Sequence, residues 1–118
     1  MNPRHAIQVL LLTSVLSAPC QAQAPTKASA GAKILAAIRR DKVYKNIPPS
    51  CLFVDFDEET KGYFQFAVRF NPTCCGVKSE STLLNRFAVL RPTGQIVYWD
   101  EADPESFKTY ASFLAGRP

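Results

Sequence analysis

The sequence predicts an α+β domain: a four-stranded antiparallel sheet with an N-terminal and a C-terminal helix packed on one face. Three observations carry this. Residues 63–70 alternate without a fault, Phe64, Phe66, Val68 and Phe70 on one side and Tyr63, Gln65, Ala67 and Arg69 on the other, the pattern of a strand with one covered face. Ile34, Leu35, Ile38 and Val43 recur near a period of 3.6 ahead of the strands. Phe107, Tyr110, Ala111 and Leu114 follow them at i, i+3, i+4 and i+7.

Taken in order, the elements begin with an export segment. Arg4 and His5 precede an apolar run from Ala6 to Leu16, and small residues with a Pro follow, Ser17 to Ala24. This is the layout of a secretory signal peptide cleaved after Ala22; the run is short of the roughly 20 apolar residues that a membrane span needs. Residues 1–22 are therefore read as the signal, 23–30 as a flexible leader and 31–118 as a single domain. Leu16-Ser17-Ala18-Pro19-Cys20 loosely matches a lipoprotein box, so contact with a membrane is expected only if Cys20 is lipidated.

The first helix is placed over 31–45, with Ser29 near its start and Asn46-Ile47-Pro48-Pro49 ending it. Its polar face carries Lys33, Arg39, Arg40, Lys42 and Lys45. The strands are 51–56, 63–70, 83–91 and 95–99, the last two joined by Pro92-Thr93-Gly94, a tight turn. Asn71 to Thr82 is the longest loop. Asp103-Pro104-Glu105 reads as the start of the last helix: a capping Asp, Pro at the first position and Glu in the first turn.

Composition and inventory exclude several function classes. At 118 residues, 47% hydrophobic and 20% charged, the chain is one globular domain rather than a multidomain enzyme or a disordered segment. Its single histidine, His5, leaves with the signal, and with it any Ser-His-Asp triad, Cys-His dyad or His-built zinc site. There is no phosphate-binding glycine motif. The reading is that the protein is not an enzyme and needs no cofactor or metal. The formal charge of +4 does not point to nucleic acid in an exported protein. The acidic groups Asp55, Asp57, Glu58, Glu59 and Asp100, Glu101, Asp103, Glu105 are read as solvated turns and a helix cap.

Cys51, Cys74 and Cys75 remain after export, and cysteines pair in an oxidising compartment. The expected disulfide joins Cys51 to Cys75 or to Cys74. The third thiol is left as a buried free cysteine, an intermolecular bridge or an exchange partner. Phe53, Tyr63, Tyr98 and Trp99 are too many to fit beneath the helices beside Phe56, Phe64, Phe66, Phe70 and Phe87. These four are the candidate partner-binding set on the open side of the sheet, since such aromatics suit protein interfaces.

Cys75-Gly76, a polar Ser/Thr loop and Arg86-Phe87-Ala88-Val89-Leu90-Arg91-Pro92-Thr93-Gly94-Gln95-Ile96 resemble small exported proteobacterial α+β proteins with a cystatin-like or NTF2-like sheet, over about residues 30–115. The doubled Cys74-Cys75 departs from the single cysteine of that pattern. The resemblance implies a periplasmic immunity protein or inhibitor that occludes a toxin or hydrolase, and it transfers no functional residue. The alternative is an envelope-associated structural protein, tethered by lipid or a disulfide, with no toxin partner.

Overall fold

The computed structural model describes residues 24–75, 81–103 and 105–117. The segment read as a signal peptide, Cys20, residues 76–80 of the long loop and Pro104 lie outside the described residues, as does the side chain of Cys75. The described chain runs α1 (Lys27–Arg40), a 3-10 turn at Pro49–Cys51, β1 (Leu52–Glu59), β2 (Tyr63–Phe70), α2 (Pro72–Cys75), β3 (Leu83–Leu90), β4 (Ile96–Trp99), β5 (Phe107–Thr109) and α3 (Tyr110–Ala115). The five strands form one antiparallel meander in the order β1-β2-β3-β4-β5. The class is α+β as the sequence predicts, with one strand more.

The helix boundaries need correction. α1 starts four residues earlier than expected, inside the segment read as a leader. Thr26 and Ser29 form a reciprocal capping box there, the Thr26 hydroxyl accepting from the Ser29 N–H at 3.1 Å, and this satisfies two of the orphan donors at the helix start. α1 also stops at Arg40 rather than running to residue 45. Lys42 takes φ 49°, the left-handed stop that ends many helices. The reversal lets Val43 turn back into the core, where it is buried.

The C-terminal helix is shorter and later than expected. Glu101 and Ala102 form a turn, the Ala102 N–H donating to Asp100 Oδ1, and the Ser106 hydroxyl donates to Asp103 Oδ2. Phe107–Thr109 then pairs with β4, Trp99 opposite Phe107 and Val97 opposite Thr109. α3 begins only at Tyr110, with Thr109 as its cap accepting from the Ser112 N–H. An exposed β4 edge would leave a row of unmade backbone hydrogen bonds. Pairing with Phe107–Thr109 meets them, and it overrides the helical spacing of Phe107 and Tyr110.

Side chains directly opposite each other across a ladder share a face. Leu52, Phe64, Phe66, Val68, Phe70, Phe87, Val89 and Ile96 lie on one face and bury against Ala30, Ile34, Ala37 and Ile38 of α1. The helix approaches closely because residue 31 has no side chain: a Cβ there would stand 3.0 Å from Cε2 of Phe66. Glycine inside a helix costs about 1 kcal/mol against alanine, and here it is what allows the close approach. α3 covers the other end of the same face. Phe113 meets Phe87 edge-on at 5.0 Å and Tyr98 at 4.6 Å.

Two links hold the periphery. The disulfide joins Cys51 to Cys74, not to Cys75. It closes the open end of the β1–β2 hairpin, where the Asn71 N–H also donates to the Cys51 carbonyl at 2.9 Å. The Tyr110 hydroxyl donates to Asp41 Oδ2 at 2.7 Å, tying α3 to the end of α1. Hydrogen bonds from Arg40 and then from Tyr110 hold the Asp41 carboxyl below the usual carboxylate range.

Both links can be tested by substitution. Replacing Cys51 and Cys74 together by Ser lowers the unfolding free energy by about 3 kcal/mol, as expected for closure of a loop of this length, read by urea denaturation. A carboxyl with a lowered folded pKa stabilises above its unfolded value and loses that contribution as pH falls through the folded one. The stability difference between the parent and Asp41→Asn is therefore constant from about pH 7 to 5 and shrinks below about pH 4.

Candidate functional site

The other face of the sheet has neither α1 nor α3 over it. Ladder register places Phe53, Asp55, Tyr63, Gln65, Ala67, Arg69, Arg86, Ala88, Val97, Trp99 and Phe107 there. A bulge between Phe56 and Glu58 leaves Asp57 as the extra residue, and bulges re-aim side chains in this way. The Asp57 carboxylate accepts from Gln65 Nε2 at 2.9 Å and from Arg86 Nε at 3.2 Å.

This face is concave. Tyr63 on β2 and Phe107 on β5 are separated by two whole strands, yet their rings meet edge-on with centroids 4.9 Å apart. The sheet thus curls toward this side, bringing side chains of β2 and β5 together across β3 and β4. On the same face Ala88 is fully buried, Ala67 is 3% exposed and Gln65 is 8% exposed. Ala67 and Ala88 are small side chains at the centre of this face. Gln65, the buried polar side chain of the set, is satisfied by Asp57, as a buried amide must be. The result is a thin second layer of packing, made by the sheet's own long side chains.

Charge is woven into the same layer. Arg86 bridges Asp57 and Glu101, at 3.2 and 2.7 Å, and its guanidinium lies 5.4 Å from the Trp99 ring centroid. Arg69 pairs with Asp55 at 3.4 Å on this face, whereas Arg91 pairs with Glu59 at 3.1 Å on the helix side, beside Phe64. The acidic run of β1 is thus engaged largely by arginines of β2, β3 and the turn beyond. Tyr63 donates to Glu58 Oε2 at 3.2 Å; burial first and the nearby Glu58 charge second raise its pKa. At the far end Asp100 is held below its ordinary range, first by the Ala102 N–H and then by Lys108.

Of the four aromatics read as partner-binding, the structure brings Phe53, Tyr63 and Trp99 to this face. Phe53 is 42% exposed at its β1 edge. Tyr98 is placed differently: it stands opposite Phe87 on the helix-covered face and packs on Phe113. Adjacent strand residues point to opposite sides, so Tyr98 and Trp99 cannot share a surface. Phe107 and Arg86 belong to the face without being singled out by the sequence pattern. Helical periodicity absorbs Phe107; the Thr109-to-Ser112 cap spacing is the signal that the helix begins after it.

Among the described residues no group of three or more His, Cys, Asp and Glu side chains is arranged to hold a metal ion, and no helix is long and apolar enough to cross a membrane. No known protein family, curated protein or solved structure matches the chain.

A fully buried alanine has no room to grow. Ala88→Leu is expected to cost about 1–3 kcal/mol by overpacking, measured by urea denaturation. Ring-to-ring NOEs between Tyr63 and Phe107, present in the parent, are absent from this variant.

Proposed function

We propose that the chain is an exported, non-catalytic protein-binding module, acting as a periplasmic immunity protein or inhibitor that occludes a toxin or hydrolase. The observation that carries this reading is the uncovered concave face. It sets Phe53, Tyr63, Trp99 and Phe107 beside Arg69 and Arg86 on a sheet whose opposite side is taken up by α1 and α3. Aromatic residues and arginine are the types enriched where proteins grip one another. The Cys51–Cys74 disulfide supports a non-reducing compartment, which agrees with the signal-like residues 1–22.

The partner is a protein that packs on this layer of rings and whose charged groups are met by the ion-paired side chains at its margin. Docking there blocks access to the partner's covered surface without any covalent step.

Affinity capture from envelope extracts tests this with two proteins side by side, the parent and Trp99→Ala. The parent retains a specific partner, and Trp99→Ala weakens retention by at least about tenfold while its far-UV spectrum stays native. Equal retention by both proteins removes the face from consideration as the binding site.

A further inference from the structure

A second concavity lies on the opposite side of the molecule, where α1 ends. A groove of about 290 Å³ opens there between Ile38, Tyr44, Ile47 and Leu52. Its floor is apolar: Ile38 and Leu52 are buried, and Ile47 forms a wall. The polar groups inside are already committed. The Tyr44 hydroxyl donates to Asn85 Oδ1 at 2.6 Å. The Arg39 guanidinium donates to the Pro49 and Leu52 carbonyls at 3.1 and 3.2 Å. A sugar or a nucleobase would find no free hydrogen-bonding group at depth.

The rim is the opposite. Lys42 and Lys45 line it; both are exposed, and neither makes an ion pair among the described residues. The nearest carboxylate in sequence, Asp41, is occupied by Arg40 at 2.9 Å and by the Tyr110 hydroxyl. Arg117, which lies against Tyr44 and Phe113, adds a further positive charge on the far side of the same turn.

An apolar slot whose internal cation, Arg39, is already bonded to backbone carbonyls and whose mouth carries two lysines selects for an apolar tail bearing a negative head. We infer that this groove binds a single-chain anionic amphiphile, a medium-chain fatty acid carboxylate, with the chain along Ile38, Ile47 and Leu52 and the carboxylate between Lys42 and Lys45. The volume is at the lower limit of small-molecule pockets, which suits one chain and not the two of a membrane phospholipid. The site is independent of the concave face proposed above.

Calorimetric titration of the disulfide-bonded protein with octanoate, decanoate and laurate, each below its micelle-forming concentration, tests it. Amide shifts of residues 42–52 locate the binding. One saturable site is expected, with Kd falling about fourfold for each added methylene until the groove is full. Lys42→Gln/Lys45→Gln keeps the side-chain stems and removes the charges; it weakens decanoate roughly tenfold and leaves decanol unchanged. The inference is overturned if no saturable shift occurs, if decanol binds the parent as tightly as decanoate, if the double variant binds decanoate unaltered, or if anionic phosphatidylglycerol vesicles are bound while monomeric decanoate is not.

Discussion

The β2–β3 ladder decides everything else in this molecule. Phe66 stands opposite Phe87 and Phe64 opposite Val89, while Ala67 stands opposite Arg86 and Gln65 opposite Ala88. One set is apolar and large, the other small or polar. A slip of one residue would move the whole aromatic set to the side without helices. With the register fixed, α1 has a surface to lie on, and Gly31 allows it to lie close. Phe87, fully buried, then becomes the point where sheet, α1 and α3 meet, with Tyr98, Tyr110 and Phe113 rings around it. The side without helices inherits two central alanines, Ala67 and Ala88.

How much of this is legible in the sequence depends on whether local pattern and long-range need agree. The bounds of β2 are legible to the residue because its alternating large apolar side chains all meet the helix-covered core, while the burial of Gln65 and Ala67 on the other face is not legible from that alternation. The α+β class, the antiparallel order and a bridge from Cys51 to one of the paired cysteines are legible for the same reason. The C-terminal element is not, because its two requirements compete. Asp103, Pro104 and Glu105 favour a helix locally, and the spacing of Phe107 to Leu114 supports one. The β4 edge needs a partner, however, and three residues of strand satisfy it before the helix begins at a second cap. Tyr98 departs from expectation by a simpler route. Treating Tyr98 and Trp99 as one patch ignores the two-residue period of the strand that holds them. The concavity has no sequence signal.

The exposed edge of β1 shows how the fold limits its own stickiness. Among the described residues, β1 carries both large hydrophobic side chains of high exposure, Phe53 and Phe56, at 42% and 40%. A free edge with two phenylalanines invites pairing with another chain. Several features oppose this. Asp55, Asp57, Glu58 and Glu59 place negative charge along the strand, and the bulge at Phe56/Glu58 twists it. The Leu52 carbonyl is held by Arg39, and Lys27 lies over the Phe56 ring at 4.4 Å. Three of the same carboxylates also anchor Arg69, Arg86 and Arg91 from the neighbouring elements. Individually such exposed pairs contribute about 0–1 kcal/mol, so their larger effect is on geometry: they set where the arginines point.

That geometry bears directly on what the concave face can do as a binding surface. A side chain that must be immobilised on docking costs about 0.5–1.5 kcal/mol. Arg86 is already fixed by two carboxylates and lies against Trp99, and Tyr63 is fixed by Phe107 on one side and Glu58 on the other. Under the proposed function, a partner meets rings and a guanidinium whose order was established on folding. Enclosure under neighbouring rings also leaves these groups half-buried before any partner arrives, which reduces the apolar area still available for burial. Affinity at such a surface depends more on fit and pre-ordering than on area, and specificity depends on the arginines and carboxylates at its margin. A small domain with one face committed to its core has few other ways to present a rigid surface, and under the proposed function this chain builds its recognition surface from the side chains that would otherwise leave its second face bare.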